Sequence, residues 1–467
     1  MESKHYLKTA AKNIRYANTG YGPQLSVIDI GLTDKVAVIE PDSAFWALVE
    51  KDSINELFSG SFVRNLQEHI KSFQKEMEYL RFGLKPSAVY FNPTERCNLN
   101  CTYCYLPEDM RREGTTMTNE ELCDALNRLH LYFKDIMPEG ERPQIIFHGS
   151  EPMLAKKPMF AGIKKFNDKF HFGLQTNATL LDDDALSFLM DYHVGIGISL
   201  DGPSPEIADI TRKNWQNSGA FNKVVEVLDK LVNYPAFNVI TTVTTANVHT
   251  LPEMVDFYHE HQVNVVMFNP VRCTQKGGME LKPENDLIWE HFSKALDRTW
   301  ELFKKTNHKL VIANFANVLA GITGPTGRRL MCDISPCGGG RCFFAVSANG
   351  DVFPCSEFIG FAEFKGGNLF RDDLHSILKA KPIEDITNRK VENIFPCNMC
   401  AIRHFCGAPC PAEVKMLSGD LDTPSPYCEF YEEQVRYAFK VIAHKREDAY
   451  LWDGWKDETE ITYNYAL

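Results

Sequence analysis

The chain has 467 residues, 44% of them hydrophobic, enough for two or three domains with sizeable cores. A formal net charge of −12 argues against a phosphate backbone as partner, so no nucleic acid is expected, while a basic peptide or a small molecule is compatible. No apolar run reaches the roughly 18 residues a membrane span needs, and the opening MESKHYLKTAAKNIRY lacks a secretory core; the expectation is a cytoplasmic protein with no membrane contact.

Residues 1–85 contain two strand-like runs, LSVIDIG and KVAVIEPDSAFWALV, and a helical stretch, FVRNLQEHIKSFQKEMEYL. They read as a small N-terminal α+β module. Residues 86–325 alternate apolar strands with amphipathic helices. The predicted strands are AVYFNP, QIIFHG, FHFGLQTN, VGIGISLDG, FNVITTVTT and VNVVMFNPV, with TNEELCDALNRLHLYFKDI and DDDALSFLMDYH among the helices. Repeated β-then-α units predict an α/β fold with a parallel sheet and active residues at the carboxyl ends of its strands. Six units over about 90–270 form a partial (β/α)6 barrel, too few for a closed eight-stranded one. The segment 280–320 reads as helix. Residues 326–435 are rich in Gly, Pro and Cys with short elements, as expected where metal replaces a hydrophobic core. Residues 436–467 read as a C-terminal tail.

Fourteen cysteines without an export signal point to metal ligation rather than disulfides. Cys97, Cys101 and Cys104 lie in CNLNCTYC with C-x3-C-x2-C spacing, ten others fall between Cys273 and Cys428, and Cys123 is isolated. Three thiolates at the end of the first barrel strand can hold three irons of a [4Fe–4S] cluster and leave the fourth iron open. The same open position separates catalytic from structural zinc sites, and a zinc knuckle short of one ligand is the bland alternative. Tyr103, inside the loop, can lie beside the cluster or its ligand.

The C-x3-C-x-aromatic-C loop resembles that of the radical S-adenosylmethionine (SAM) superfamily. The resemblance implies that SAM occupies the fourth iron and that the reduced cluster cleaves it to methionine and a 5′-deoxyadenosyl radical. It carries over to later strand ends. HGSEP stands where the family usually has Gly-Gly-Glu-Pro, departing at His148 and Ser150, and implies SAM amino-group contacts from Glu151 and from the backbone after Gly149, with Ser150 accommodated. QTNATLL places Thr176 and Asn177 at a strand end. GISLDGP puts Ser199 and Asp201 at positions near the ribose and methionine of SAM, and Arg212 is placed to pair with its carboxylate through a bidentate fork.

The later cysteines are also ordered. Cys337 is followed by twelve residues, Gly350, four residues and Cys355, and Asn349-Gly350 signals a hairpin turn. Cys397, Cys400, Cys406 and Cys410 follow in C-x2-C-x5-C-x3-C spacing, with Cys428 last. The pattern resembles the SPASM domain, which carries two auxiliary [4Fe–4S] clusters; a pair of zinc ribbons is the alternative. The resemblance assigns Cys397, Cys400, Cys406 and Cys428 to one cluster and Cys337, Cys355 and Cys410 to the other. The remaining ligand is Cys342 or Cys332, between which spacing does not decide. Three [4Fe–4S] clusters and SAM are the cofactors expected.

Radical SAM/SPASM enzymes modify peptides, and two branches compete. Anaerobic sulfatase-maturing enzymes make formylglycine with an Asp base directly after an auxiliary cysteine; here Ser356 follows Cys355, and the acid, Glu357, comes one later. On a strand, Glu357 would share the face of Cys355 and Ser356 would face away. The other branch matures ribosomally made precursor peptides by carbon–carbon or thioether crosslinking or related steps, and is the reading favoured. In it, residues 1–85 bind a leader by strand addition, or serve only as a packing extension. The implied chemistry has the radical abstract a hydrogen, an auxiliary cluster accept an electron and a base take a proton; Glu357, His148 and Asp201 are the candidates. His148 reads equally as a neutral hydrogen-bonding group, and Cys273 as a spare thiol. The expected partners are a precursor peptide and a reductant such as flavodoxin or ferredoxin. An iron–sulfur electron carrier or zinc-stapled binding protein, without catalysis, is the reading of a different class.

Overall fold

A computed structural model of the chain describes residues 14–17, 25–58 and 60–456. Residues 1–13, 18–24 and 59 of the predicted N-terminal module and 457–467 of the predicted tail lie outside the described residues.

The first four strands are β1 (Ile14–Ala17), β2 (Leu25–Asp29), β3 (Lys35–Glu40) and β4 (Phe45–Glu50). They form an antiparallel sheet in chain order. A half-solvated strand would alternate buried and exposed residues, but Val36–Glu40 and Phe45–Val49 are buried without a break. Both faces are covered. Phe45 meets Phe73 of the helix Gly60–Glu78 edge-on, with ring centroids 5.7 Å apart. Its neighbour Trp46, pointing the other way, packs on Phe439 at 5.5 Å and donates its indole N–H to the Ile322 carbonyl at 2.5 Å.

A ten-stranded sheet follows. Seven of its parallel strands follow in chain order, β5 (Ala88–Phe91), β6 (Gln144–Phe147), β7 (His171–Thr176), β8 (Gly195–Ser199), β9 (Phe237–Val243), β10 (Val265–Pro270) and β11 (Val311–Ile312), each paired with the next. The six predicted strands are all present. Residues 280–320 are not one helix, however. The helix Asn285–Thr306 stops at Asn307, whose φ of 57° is the left-handed cap that ends helices, and the β-branched pair Val311-Ile312 then adds a short strand before the helix Ala313–Thr323.

On the opposite edge, β12 (Phe343–Val346) pairs in parallel with β5, matching Val346 to Phe91. The predicted Asn349-Gly350 turn, with Gly350 at φ 85°, reverses the chain into β13 (Asp351–Phe353), and β14 (Gly367–Asn368) closes that edge. The cysteine-rich region is therefore continuous with the sheet that carries the three-cysteine loop. The helix Cys428–Ala443 runs through residue 435 and buries Ala438, Phe439, Val441 and Ile442. No helix among the described residues is long and apolar enough to cross a membrane.

Candidate active site

The carboxyl end of β5 leads into the three-cysteine loop, whose shape is held by backbone hydrogen bonds before any metal is considered. Cys97 N donates to the Arg111 carbonyl (2.9 Å), Asn100 N to Lys213 (2.6 Å), and Thr102 N to Thr211 (3.1 Å). The three thiols line one cavity of about 400 Å³, within the range of small-molecule sites. Tyr103, Gly149, Ser150, Thr176, Asn177, Ser199 and Arg212 line it too. Burial pushes the thiols up, Cys101 to about 11, so they need a strong local cation to be thiolates at neutral pH.

Two acids singled out in the sequence stand behind the wall rather than on it. Glu151 is fully buried and accepts hydrogen bonds from Thr176 Oγ1 (2.7 Å), Asn177 N (2.8 Å) and Met153 N (3.0 Å), tying the ends of β6 and β7 together. Asp201 accepts from the Tyr103 hydroxyl and from Thr242 N (2.9 Å). Arg212 Nη1 donates to the same Tyr103 oxygen (2.6 Å) and stands 3.5 Å from Asp201 Oδ2. Burial works against the Arg212 charge, but Tyr103, Cys101 and Asp201 outweigh it and hold the guanidinium firmly protonated. Its Nε is buried without a partner.

Gly149, at φ +102°, passes so close to Asn92 that a Cβ there would fall 2.0 Å from Asn92 Nδ2. Ser150 Oγ donates to the Glu95 carbonyl (2.6 Å). His148 packs edge-on against Tyr90, with centroids 5.2 Å apart, and faces Tyr105. Burial lowers its pKa to about 4, which makes it neutral at neutral pH, and its Nδ1 has no partner. Asn98 was not anticipated. It accepts from Asn177 Nδ2 (2.9 Å) and donates to Thr179 Oγ1 (2.8 Å), linking the cysteine loop to the end of β7. An Asn next to a ligand cysteine reads as a loop residue, and only the fold supplies its partners.

The same cavity runs on to Cys332, Cys337, Cys355 and Cys410. Burial raises the Cys332 and Cys355 thiols, and Cys337 and Cys410 add to the rise of both. Cys342 is buried off the cavity wall, and among the cysteines only Cys337 acts on it. Cys397, Cys400, Cys406 and Cys428 form a separate group, with the other three all raising Cys406 beyond the larger effect of its burial. Among the described residues no three His, Cys, Asp or Glu side chains are gathered as a single metal ion would need.

The strand-face expectation for Glu357 does not hold. β13 stops at Phe353 and Ser356–Phe358 is a 3-10 turn, so alternation has ended and both Ser356 and Glu357 line the cavity. Burial pushes Glu357 up to about 7 against the pull of Arg272, and its Oε2 is unpartnered. Arg272 went unnoticed in the sequence. It lines the cavity after β10 and lies 3.7 Å from the fully buried Glu413. Its neighbour Cys273 is fully buried away from the cavity wall, its N–H on Glu413 Oε1 (2.9 Å).

The donor set fits the cofactors the loop implies: three thiols on one cavity, a buried guanidinium with a free N–H, and a wall that includes Gly149. Residues 91–258 match the Radical SAM superfamily, and residues 337–401 match SPASM, an iron–sulfur cluster-binding domain. An uncharacterized protein of Archaeoglobus fulgidus is 39% identical over 415 residues, covering 89% of this chain and 94% of that protein. A cysteine-type anaerobic sulfatase-maturating enzyme of Clostridium perfringens is 24% identical over 377 residues, covering 76% of this chain and 97% of its own. The fold is that of anSMEcpe with bound AdoMet, with a TM-score of 0.67 at 22% identity over 80% of this chain and 98% of that one. It is also that of Streptococcus suis SuiB bound to the precursor peptide SuiA, with a TM-score of 0.57 at 15% identity over 79% and 80%. With [4Fe–4S] clusters and SAM implied by both domains, the chain belongs to the radical SAM superfamily as an enzyme with a SPASM iron–sulfur domain.

Proposed function

We propose that this enzyme is a peptide maturase that installs a carbon–carbon or thioether crosslink in a ribosomally made precursor. One observation carries the reading: a single cavity is lined both by Cys97, Cys101 and Cys104 and by Cys332, Cys337, Cys355 and Cys410. A substrate side chain seated there lies between a site that generates a radical and a site that takes an electron. When bound, a [4Fe–4S] cluster on the first three thiolates supplies the 5′-deoxyadenosyl radical from SAM, and two auxiliary clusters supply the electron acceptor, three clusters in all.

The chain's own residues do the rest. Arg212 Nε offers a donor to the SAM carboxylate, while Thr176, Asn177 and Ser199 shape the wall for its ribose and methionine. Glu151 and Asp201 act from behind: one fixes the strand ends, the other holds Tyr103 and Arg212. Cys332 completes the first auxiliary set with Cys337, Cys355 and Cys410; Cys397, Cys400, Cys406 and Cys428 form the second. Glu357, near neutrality in charge state and open on one oxygen, takes the proton. Crosslinking then balances: one hydrogen leaves with the radical, one as a proton on Glu357, and one electron goes to the auxiliary site. The N-terminal sheet, with β1 and β4 as its edges, receives the leader by strand addition.

A second reading, formylglycine formation, is favoured by the position of Glu357 on the cavity wall beside Cys355. A Cys-x-Pro-x-Arg peptide separates the two. We expect SAM to be cleaved with dithionite and no aldehyde to form, while a precursor encoded beside the gene loses about 2 Da as an internal crosslink. Hydrazone-trapped aldehyde on the Cys peptide would establish the second reading instead.

A further inference from the structure

We propose that a groove on the outer side of the three-cysteine loop docks a small acidic one-electron carrier protein of the flavodoxin class; the inference rests on the radical SAM reading above. The groove is lined by Arg96, Cys97, Arg112, Leu154, Trp215 and Gln216, among others. Cys97 lines both this groove and the main cavity, whereas Cys101, Cys104 and the strand-end residues Thr176, Asn177 and Ser199 line only the cavity. The groove and the cavity are thus two sides of one ligand residue.

Trp215 makes that side electronically close. Its indole N–H donates to the carbonyl of Cys97 itself at 2.9 Å, and the ring lies 4.1 Å from the Arg112 guanidinium. Electron transfer weakens steeply with distance, so a donor seated on Trp215 is separated from the thiolate by one hydrogen bond and the bonds of one residue.

Charge selects the partner. The chain as a whole carries −12, yet this groove collects Arg96, Arg111 and Arg112 against one acid, Glu113. Arg111 is buried and bonded to Asn100 Oδ1 (2.7 Å) and the Leu106 carbonyl, and Arg112 pairs with Glu108, an acid outside the lining (2.9 Å). Arg96 is exposed and makes no ion pair among the described residues. A local positive patch on an acidic protein steers an acidic partner to that spot and repels it elsewhere. Leu154, 43% exposed, adds an apolar contact. One electron passes from the reduced flavin, which is oxidised by one electron, to the cluster. Breaking the bond between the sulfur and the 5′ carbon of SAM consumes it, giving methionine and the 5′-deoxyadenosyl radical.

The test compares dithionite, which needs no docking site, with a reduced recombinant flavodoxin on the reconstituted enzyme. Arg96→Glu with Arg112→Glu should leave dithionite-driven 5′-deoxyadenosine formation unchanged, lower the flavodoxin-driven rate about tenfold, and weaken flavodoxin affinity by calorimetry about as much. The wild-type affinity should fall as salt rises. If the double reversal disturbs the loop, Gln216→Glu places an acid in the groove without touching it and should act in the same direction, about threefold. Wild-type flavodoxin affinity and rate in these variants would overturn the proposal. Failure of the wild type to cleave SAM with dithionite would overturn the functional reading instead.

Discussion

The three-cysteine loop and the auxiliary cysteines reach similar ends by different means. Cys97, Cys101 and Cys104 follow a strand paired in parallel on both sides, and the backbone hydrogen bonds to 211–213 and the Asn98–Asn177 link hold the loop to neighbouring segments. Of the auxiliary cysteines beyond β12, Cys355, Cys397, Cys400, Cys406 and Cys410 sit among short helices and 3-10 turns, and Cys428 opens the helix Cys428–Ala443. There the chain uses guanidinium forks on loop carbonyls: Arg389 donates to Leu421 (2.6 Å), Ala408 (2.6 Å) and Thr423 (3.2 Å), and Arg341 to Leu80 (2.7 Å) and Pro336 (3.0 Å). Arg81 reaches back from the N-terminal module to the Ser335 carbonyl and to Glu392. A sheet sets ligand positions by its register. Where no sheet is available, buried donors and the metal together must set them.

The contrast breaks most sharply at the first site. Replacing Cys97, Cys101 and Cys104 by Ala should abolish reductive SAM cleavage and lower the iron content by about four of about twelve per chain, because one cluster is lost and two remain. The barrel should keep its melting temperature within a few degrees, since strand pairing and not metal holds it. Iron analysis and calorimetry check both; loss of all iron would mean that the two regions are not independent.

A smaller effect tests the auxiliary side. Cys332→Ala should cost one cluster, about four irons, while Cys342→Ala leaves the iron count unchanged. The prediction follows from Cys332 lining the same cavity as Cys337, Cys355 and Cys410 and Cys342 standing off its wall. Equal iron loss in both variants would return the ligand choice to where spacing alone left it.

The smallest effect probes the wall the two regions share. His148 titrates at about 4 in the folded protein because it is buried, against about 6.5 for an unfolded chain. Between those values the unfolded chain binds more protons, so stability should fall as pH drops from 6.5 toward 4. His148→Phe should flatten this dependence relative to wild type. Denaturant midpoints measured in parallel from pH 7 to pH 5 check it; identical slopes would show that His148 is not buried as a neutral ring.

Much of this organisation is readable from residue order. The six strands announce themselves by apolar runs, and the cysteine spacings by their regularity, because both are local patterns. The two-residue β11 is too short to leave a pattern, and its pairing with Val265-Val266 is visible only once the preceding helix has folded back. Arg272 and Trp215 look like ordinary loop residues; their meaning comes from partners far along the chain, Glu413 and the Cys97 carbonyl. Glu357 was legible as an acid near a ligand, but its reach depended on where β13 stopped.

By itself the sequence determined the fold class, the alternation of strand and helix, and which cysteines travel together, since periodicity and spacing are properties of neighbouring residues. Tertiary structure alone decided that β12 joins β5 and that Cys355 and Cys97 line one cavity. It also turned Glu151 and Asp201 inward as supports and set Cys332 rather than Cys342 among the cavity thiols. Those outcomes depend on which distant backbone a side chain meets, and sheet pairing and burial settle that only when the whole chain has closed.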